Sequence, residues 1–146
     1  MKQIFINIPV SDLEKSMQFY LALGFTINPL FTDIDQKCMI WSDYIYVMLQ
    51  SRNFSNSYLE KQIIDARKYQ IPSFTLPVES IEKVNEITEN GIKAGALEPV
   101  STIREDFMYL RSIEDLDGYM WGIMFLDVDR FVSIKKININ SQKSLA

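Results

Sequence analysis

Asn7-Ile8-Pro9-Val10-Ser11-Asp12-Leu13-Glu14-Lys15 aligns without a gap on Thr75-Leu76-Pro77-Val78-Glu79-Ser80-Ile81-Glu82-Lys83, and the prolines, valines, glutamates and lysines coincide. Each copy is a short apolar segment running into a helix start. A self-match of this kind marks a duplicated structural module. In the first copy Ser11 to Glu14 has the S-x-x-E form of a capping box, and Leu13, Met17, Tyr20 and Leu23 recur at helical spacing. Gly24 is placed to end that helix in a left-handed conformation. In the second copy Ile81, Val84 and Ile87 form the apolar stripe, and Asn90-Gly91 reads as the stop. The expected helices are Asp12 to Leu23 and Ser80 to Asn90.

Three strand-like segments follow each helix. In the first half they are Thr26 to Thr32, Gln36 to Trp41 and Tyr44 to Gln50; in the second, Lys93 to Val100, Met108 to Glu114 and Tyr119 to Leu126. Asp117-Gly118 supplies a hairpin turn before the last of them. The order is βαβββ, twice. One such module has too few residues to cover its own sheet, so the reading is an α+β fold in which two tandem modules form a curled eight-stranded cup. Residues 1–127 make the domain, with modules 1–50 and 71–127, a connection 51–70 carrying a short helix near Tyr58 to Lys68, and a C-terminal extension 128–146. Tyr58, Leu59, Ile63 and Ile64 can anchor the connection on the core, whereas Asn138 to Ala146 offers little apolar surface to offset the entropy of ordering.

Composition narrows the function. With 146 residues, 47% of them hydrophobic, the chain can bury a real core without disulfides. The net charge of −4 and the scattered Lys and Arg residues argue against a grip on phosphate backbones, so nucleic acid is not an expected partner. No apolar run is long enough to span a bilayer, and Met1 to Val10 lacks the pattern of a signal peptide, so the expectation is a cytoplasmic protein with no membrane partner. Cys38 is the single cysteine, followed by apolar Met39 and Ile40, and reads as a buried structural thiol. The chain contains no His, which excludes Ser-His and Cys-His nucleophilic pairs. No glycine-rich phosphate loop or dinucleotide fingerprint is present, and no cofactor is expected.

Ile8 to Ser16, Phe19-Tyr20, Leu23-Gly24-Phe25 and Asp115-Leu116-Asp117-Gly118 together resemble the glyoxalase/bleomycin-resistance/extradiol-dioxygenase superfamily, also called vicinal oxygen chelate proteins. The resemblance covers roughly residues 1–127. It implies a homodimer and, in the metal enzymes of the superfamily, one divalent ion held from the first and last strands of each module. The corresponding positions here are Phe5, Met48, Ser73 and Gly122, which offer no carboxylate or imidazole. Relatives tend to read Asp-Leu-Asp-Gly-His-x-Trp-Glu at the last strand, where this chain has Tyr119 and Gly122 in place of His and Glu. The resemblance therefore points to a metal-free cup.

Alternation along the strands nominates a cavity lining of Phe5, Trp41, Met48, Met108 and Met120 for apolar contact, Asn7, Gln50, Ser73 and Thr75 for polar contact, and Gly122 for space. Arg104, Glu105, Asp106, Tyr109 and Arg111 form a dense polar group near a cavity strand. It reads first as a loop followed by an exposed strand face, and alternatively as a cavity-mouth site whose Arg, with Arg111 the candidate, binds an anionic group. The expected function is metal-independent binding of a small, partly apolar molecule. Two alternatives stand beside it: a lyase, isomerase or dioxygenase of the glyoxalase type with an atypical or absent metal site, and a structural or regulatory dimer whose cup is filled by its own side chains.

Overall fold

The computed structural model describes residues 1–145; the last residue of the extension, Ala146, lies outside them. Strand β1 (Ile4–Val10) enters helix α1 (Leu13–Leu23) through Asp12, whose carboxylate accepts the Lys15 amide at 3.0 Å. Ser11 is not the cap. Its amide donates instead to Asp117 at 3.0 Å, and Glu14 pairs with Lys37 at 2.9 Å, so the capping box does not form. Gly24 closes α1 with φ 107, in the left-handed region that favours glycine.

Strand β2 is only Thr26–Ile27, shorter than its sequence suggested. Asn28 accepts the Leu30 amide, and Pro29 opens a 3-10 turn over Pro29–Phe31, which together draw the backbone out of the sheet. Strands β3 (Gln36–Ser42) and β4 (Ile45–Ser51) complete the first module. Helix α2 (Arg52–Tyr58) starts at once, capped by the Ser51 hydroxyl. The helix expected over 58–68 is thus displaced one element earlier, and residues 59–73 run without a helix or strand.

The second module repeats the plan with β5 (Phe74–Pro77) and α3 (Ile81–Lys93), capped by Ser80. Gly91 does not stop α3. It lies inside the helix, where a Cβ would stand 2.8 Å from Ile113 Cδ1 and 2.9 Å from Leu23 Cδ2, so its bare backbone serves close packing. The strand expected over Lys93 to Val100 is reduced to one bridge, Leu97 to Glu114, because the helix has consumed its first residue and Gly95 turns the chain. Strands β6 (Ile103–Glu105), β7 (Met108–Glu114) and β8 (Met120–Leu126) follow, and helix α4 (Val128–Ser144) occupies the extension.

The strands form two four-stranded sheets of identical plan, β1-β4-β3-β2 and β5-β8-β7-β6, rather than one continuous eight-stranded sheet or a closed barrel. In each, the first strand pairs parallel to the fourth, and the other pairings are antiparallel. Helices α1 and α3 pack on each other and on one side of the sheets. Strand alternation sends Ile8, Val10, Met39, Val47 and Leu49 from the first sheet, and Leu76, Ile113, Trp121 and Ile123 from the second, into the buried cluster under those helices.

The turn between β7 and β8 joins the modules. Asp115, buried, receives the Tyr20 hydroxyl at 2.5 Å and the amides of Asp117 and Tyr119 at 2.9 Å each. Tyr20 in turn accepts the Trp121 indole N–H at 2.9 Å. The Tyr119 hydroxyl donates to the carbonyl of Pro9 at 3.0 Å, and Gly118, with φ 92, makes the reversal. Every buried polar side-chain atom among the described residues has a hydrogen-bond partner.

Candidate functional site

Residues of odd parity in β1 and even parity in β4 point away from the helices. Register pairs Phe5 with Tyr46, Asn7 with Met48 and Pro9 with Gln50, while β3 places Cys38 beside Met48. Phe5 and Tyr46 stack with centroids 4.6 Å apart and planes 9° from parallel. Cys38 is buried there, and burial pushes its thiol pKa up, which makes it a poor nucleophile.

Helix α2 and residues 59–64 roof the upper end of this face. The Tyr58 hydroxyl donates to Gln50 Oε1 at 2.6 Å and fixes the roof to β4. Beneath it lies a crevice of about 450 Å³ lined by Asn7, Pro9, Gln50, Ser55, Tyr58, Leu59, Lys61, Gln62, Ile63, Ile64 and Tyr119. That volume falls in the range of roughly 300–1,000 Å³ typical of small-molecule sites. A broader groove of about 580 Å³ runs along the helix side past Glu14, Lys15, Gln18, Phe19, Ala94 and Leu116. Its charged groups are already engaged, Glu14 with Lys37 and Lys15 with Asp12, so the sheet crevice is the better candidate.

Of the residues nominated from the sequence, Asn7 and Gln50 meet in the crevice, and Phe5 and Met48 continue the same face. Thr75, Met108, Met120 and Gly122 lie on the equivalent face of the second sheet. Ser73 precedes β5 and is exposed. Trp41 and Arg111 point the other way. Trp41 packs on Phe25 at 5.0 Å, next to the core, because odd positions of β3 face the helices. Arg111 also occupies the helix side, bonded to Glu98 at 2.8 Å, Glu89 at 2.9 Å and Asn85 at 3.1 Å. Its guanidinium, further stabilised in its charged form by Glu98, is committed to that cluster, and Glu98 is held below the usual carboxylate range by the same pair. Arg104, Tyr109 and Arg111 share that face, with Arg104 over the Tyr109 ring at 4.9 Å. Sequence reasoning missed Ser55 and Tyr119 as lining residues; the apolar Leu59, Ile63 and Ile64 in an otherwise polar connection were the available signal for the roof.

The positions that correspond to metal ligands do not fit a metal. Phe5 is stacked on Tyr46, Met48 offers a thioether, and Ser73 stands outside the strand. At Gly122 a Cβ would lie 3.0 Å from both Leu110 Cδ1 and Thr75 Oγ1, so neighbouring side chains have closed over the backbone. No three Cys, Asp or Glu side chains converge among the described residues.

Residues 2–39 match a family model described as bleomycin resistance protein-like N-terminal. The chain has the fold of solved structures described as glyoxalase-related or as glyoxalase/bleomycin resistance/dioxygenase proteins. The likeness extends over most of the chain's length. The hypothetical protein SA1046 from S. aureus is 24% identical, with a TM-score of 0.73 over 86% of this chain and 94% of that one. A glyoxalase-related enzyme from Fulvimarina pelagi is 19% identical, with a TM-score of 0.68 over 86% and 88%. A glyoxalase/bleomycin resistance protein/dioxygenase family enzyme from Burkholderia phytofirmans PsJN is 13% identical, with a TM-score of 0.67 over 86% and 99%. No curated protein matches the sequence. At such identities these structures establish architecture alone, and the chemistry has to be argued from this chain's own residues. No helix among the described residues is long and apolar enough to cross a membrane.

Proposed function

We propose that this chain is a metal-independent binding protein that holds a small, partly apolar molecule on the face of the first sheet. One observation carries the reading: the roofed crevice of about 450 Å³, with apolar walls from Pro9, Leu59, Ile63 and Ile64 and a few side-chain amides at its floor. Apolar walls supply affinity through desolvation, and a few oriented polar groups supply selectivity. The four metal-equivalent positions lack ionisable ligands, which favours sequestration over Lewis-acid catalysis. A homodimer in the cytoplasm accompanies this reading. Exposed Ile4, Phe5, Leu30, Phe31, Ile34 and Tyr44 supply apolar surface suited to a second copy.

The test is a ligand-observed NMR screen of small apolar molecules against the purified protein. Saturable binding that is lost when Ile63 is changed to a bulkier, charged residue (Ile63→Arg) supports the reading. Absence of any saturable binder, together with the protein's own side chains filling the crevice in a crystal structure, would leave the self-filled cup as the answer.

A further inference from the structure

Gln50 and Ser55 line the crevice and are among the most buried polar residues of the chain, 5% and 4% exposed. The carbonyl of Gln50 is taken by Tyr58, and its side-chain N–H2 donates to no described protein atom. Ser55 sits on α2, and its hydroxyl also makes no hydrogen bond within the described protein. Neither atom is sealed from solvent, because no buried side-chain N or O among the described residues is unsatisfied. Both therefore open onto the crevice. Donors without a partner in the protein and open to the crevice are free to bond whatever enters it.

Among the residues that line the crevice itself, the charged one is Lys61. No Asp or Glu lines it; Glu60 lines an adjoining hollow with Arg52 and Asn56 that shares Leu59, Lys61, Gln62 and Ile63 with the crevice. Amide N–H, hydroxyl and ammonium are all complementary to an acceptor oxygen, and charge-assisted hydrogen bonds are the stronger kind. We propose that Gln50 and Ser55 are the head-group end of the crevice, binding the carboxylate of a small apolar acid with Lys61 at its open side. This inference rests on the binding-protein reading and names the ligand class.

Phenylacetate, phenethylamine and ethylbenzene share one apolar body and differ in head group, so their binding, followed by ligand-observed NMR and calorimetry, separates the two readings. Wild-type protein should prefer phenylacetate over the other two by about tenfold, the worth of one charge-assisted hydrogen bond. Gln50→Glu keeps an acceptor for Tyr58 and replaces the donor by a like charge. It should weaken phenylacetate by at least about tenfold and improve phenethylamine. Ser55→Ala, which leaves the Tyr58 tether intact, should weaken phenylacetate by about fivefold with ethylbenzene unchanged. Equal binding of phenylacetate and ethylbenzene, or phenylacetate binding unmoved in both variants, overturns the head-group assignment and leaves the binding-protein reading standing. Failure of all three probes to bind wild-type protein counts against both.

Discussion

The hydroxyl of Tyr20 on α1 donates a 2.5 Å hydrogen bond to the carboxylate of Asp115, which lies 95 positions further along the chain in the turn before β8. Burial, the largest influence, raises the Asp115 pKa to about 6 from its usual 3.8. The folded state therefore binds more protons than the unfolded state between those values, and the contribution of this group to stability is full below 3.8 and declines as pH rises through 6. Urea denaturation from pH 4 to 8 should show wild-type stability minus Asp115→Asn stability falling by up to about 3 kcal/mol. A difference that rises with pH, or stays flat, refutes the assignment.

Gly91 offers a test of sign. In an exposed helix interior, Gly→Ala stabilises by about 1 kcal/mol. Here the new methyl would meet Ile113 and Leu23, both buried, inside normal contact distance. Gly91→Ala should instead destabilise by about 1 kcal/mol as overpacking outweighs propensity. Chemical denaturation measures it, and a more stable variant would mean the two side chains step aside freely.

Placing a carboxylate at Gly122 should not create a metal site. Gly122→Glu places a side chain against Thr75 and Leu110, and Phe5, Met48 and Ser73 provide no further anionic ligand. Lower stability, by about 1–3 kcal/mol, is expected. Elemental analysis of wild type and variant should find divalent metal well below one equivalent per chain in both. A stoichiometric ion in wild-type protein would remove the basis for metal-independent binding.

Protection along α4 should be graded. Phe131 packs on Phe107 at 5.0 Å, and Arg130 reaches Asp106 at 3.5 Å, which fastens the first turns. No residue of α4 is buried, and an unanchored helix of this length is marginal in water. Hydrogen exchange should be slowed near Phe131 and close to that of a free peptide beyond Asn138. Strong protection of the far end would show that it docks on another molecule or a second copy.

Much of the fold was legible because the repeat is local. The Pro-Val-x-x-x-Glu-Lys match and the helical spacing of Leu13, Met17 and Tyr20 identify a strand and helix whose order recurs. What escaped the sequence was decided by distant contacts. Gly91 looks like a helix stop until Ile113 and Leu23 are seen against it, and Ser11 looks like a cap until Asp117 claims its amide. The site was read less well than the fold. Parity placed Asn7, Met48 and Gln50 together, but Arg111 and Trp41 are on the opposite face, where a predicted cavity strand also has to supply core and ion-pair residues. Ser55 and Tyr119 had no local signature, since each lines the crevice only through the folding of α2 and the β7–β8 turn over β1.

The two modules end alike, each with its fourth strand passing directly into a helix, yet those helices take different courses. After β4 the seven-residue α2 stops at Tyr58, which turns back onto Gln50. After β8 the seventeen-residue α4 continues to Ser144 with no buried residue. Duplication thus supplied two equivalent open faces, and only one acquired a cover. The internal symmetry of the backbone is accordingly not a symmetry of cover: if the crevice under α2 holds a molecule as proposed, titration should saturate at one guest per chain.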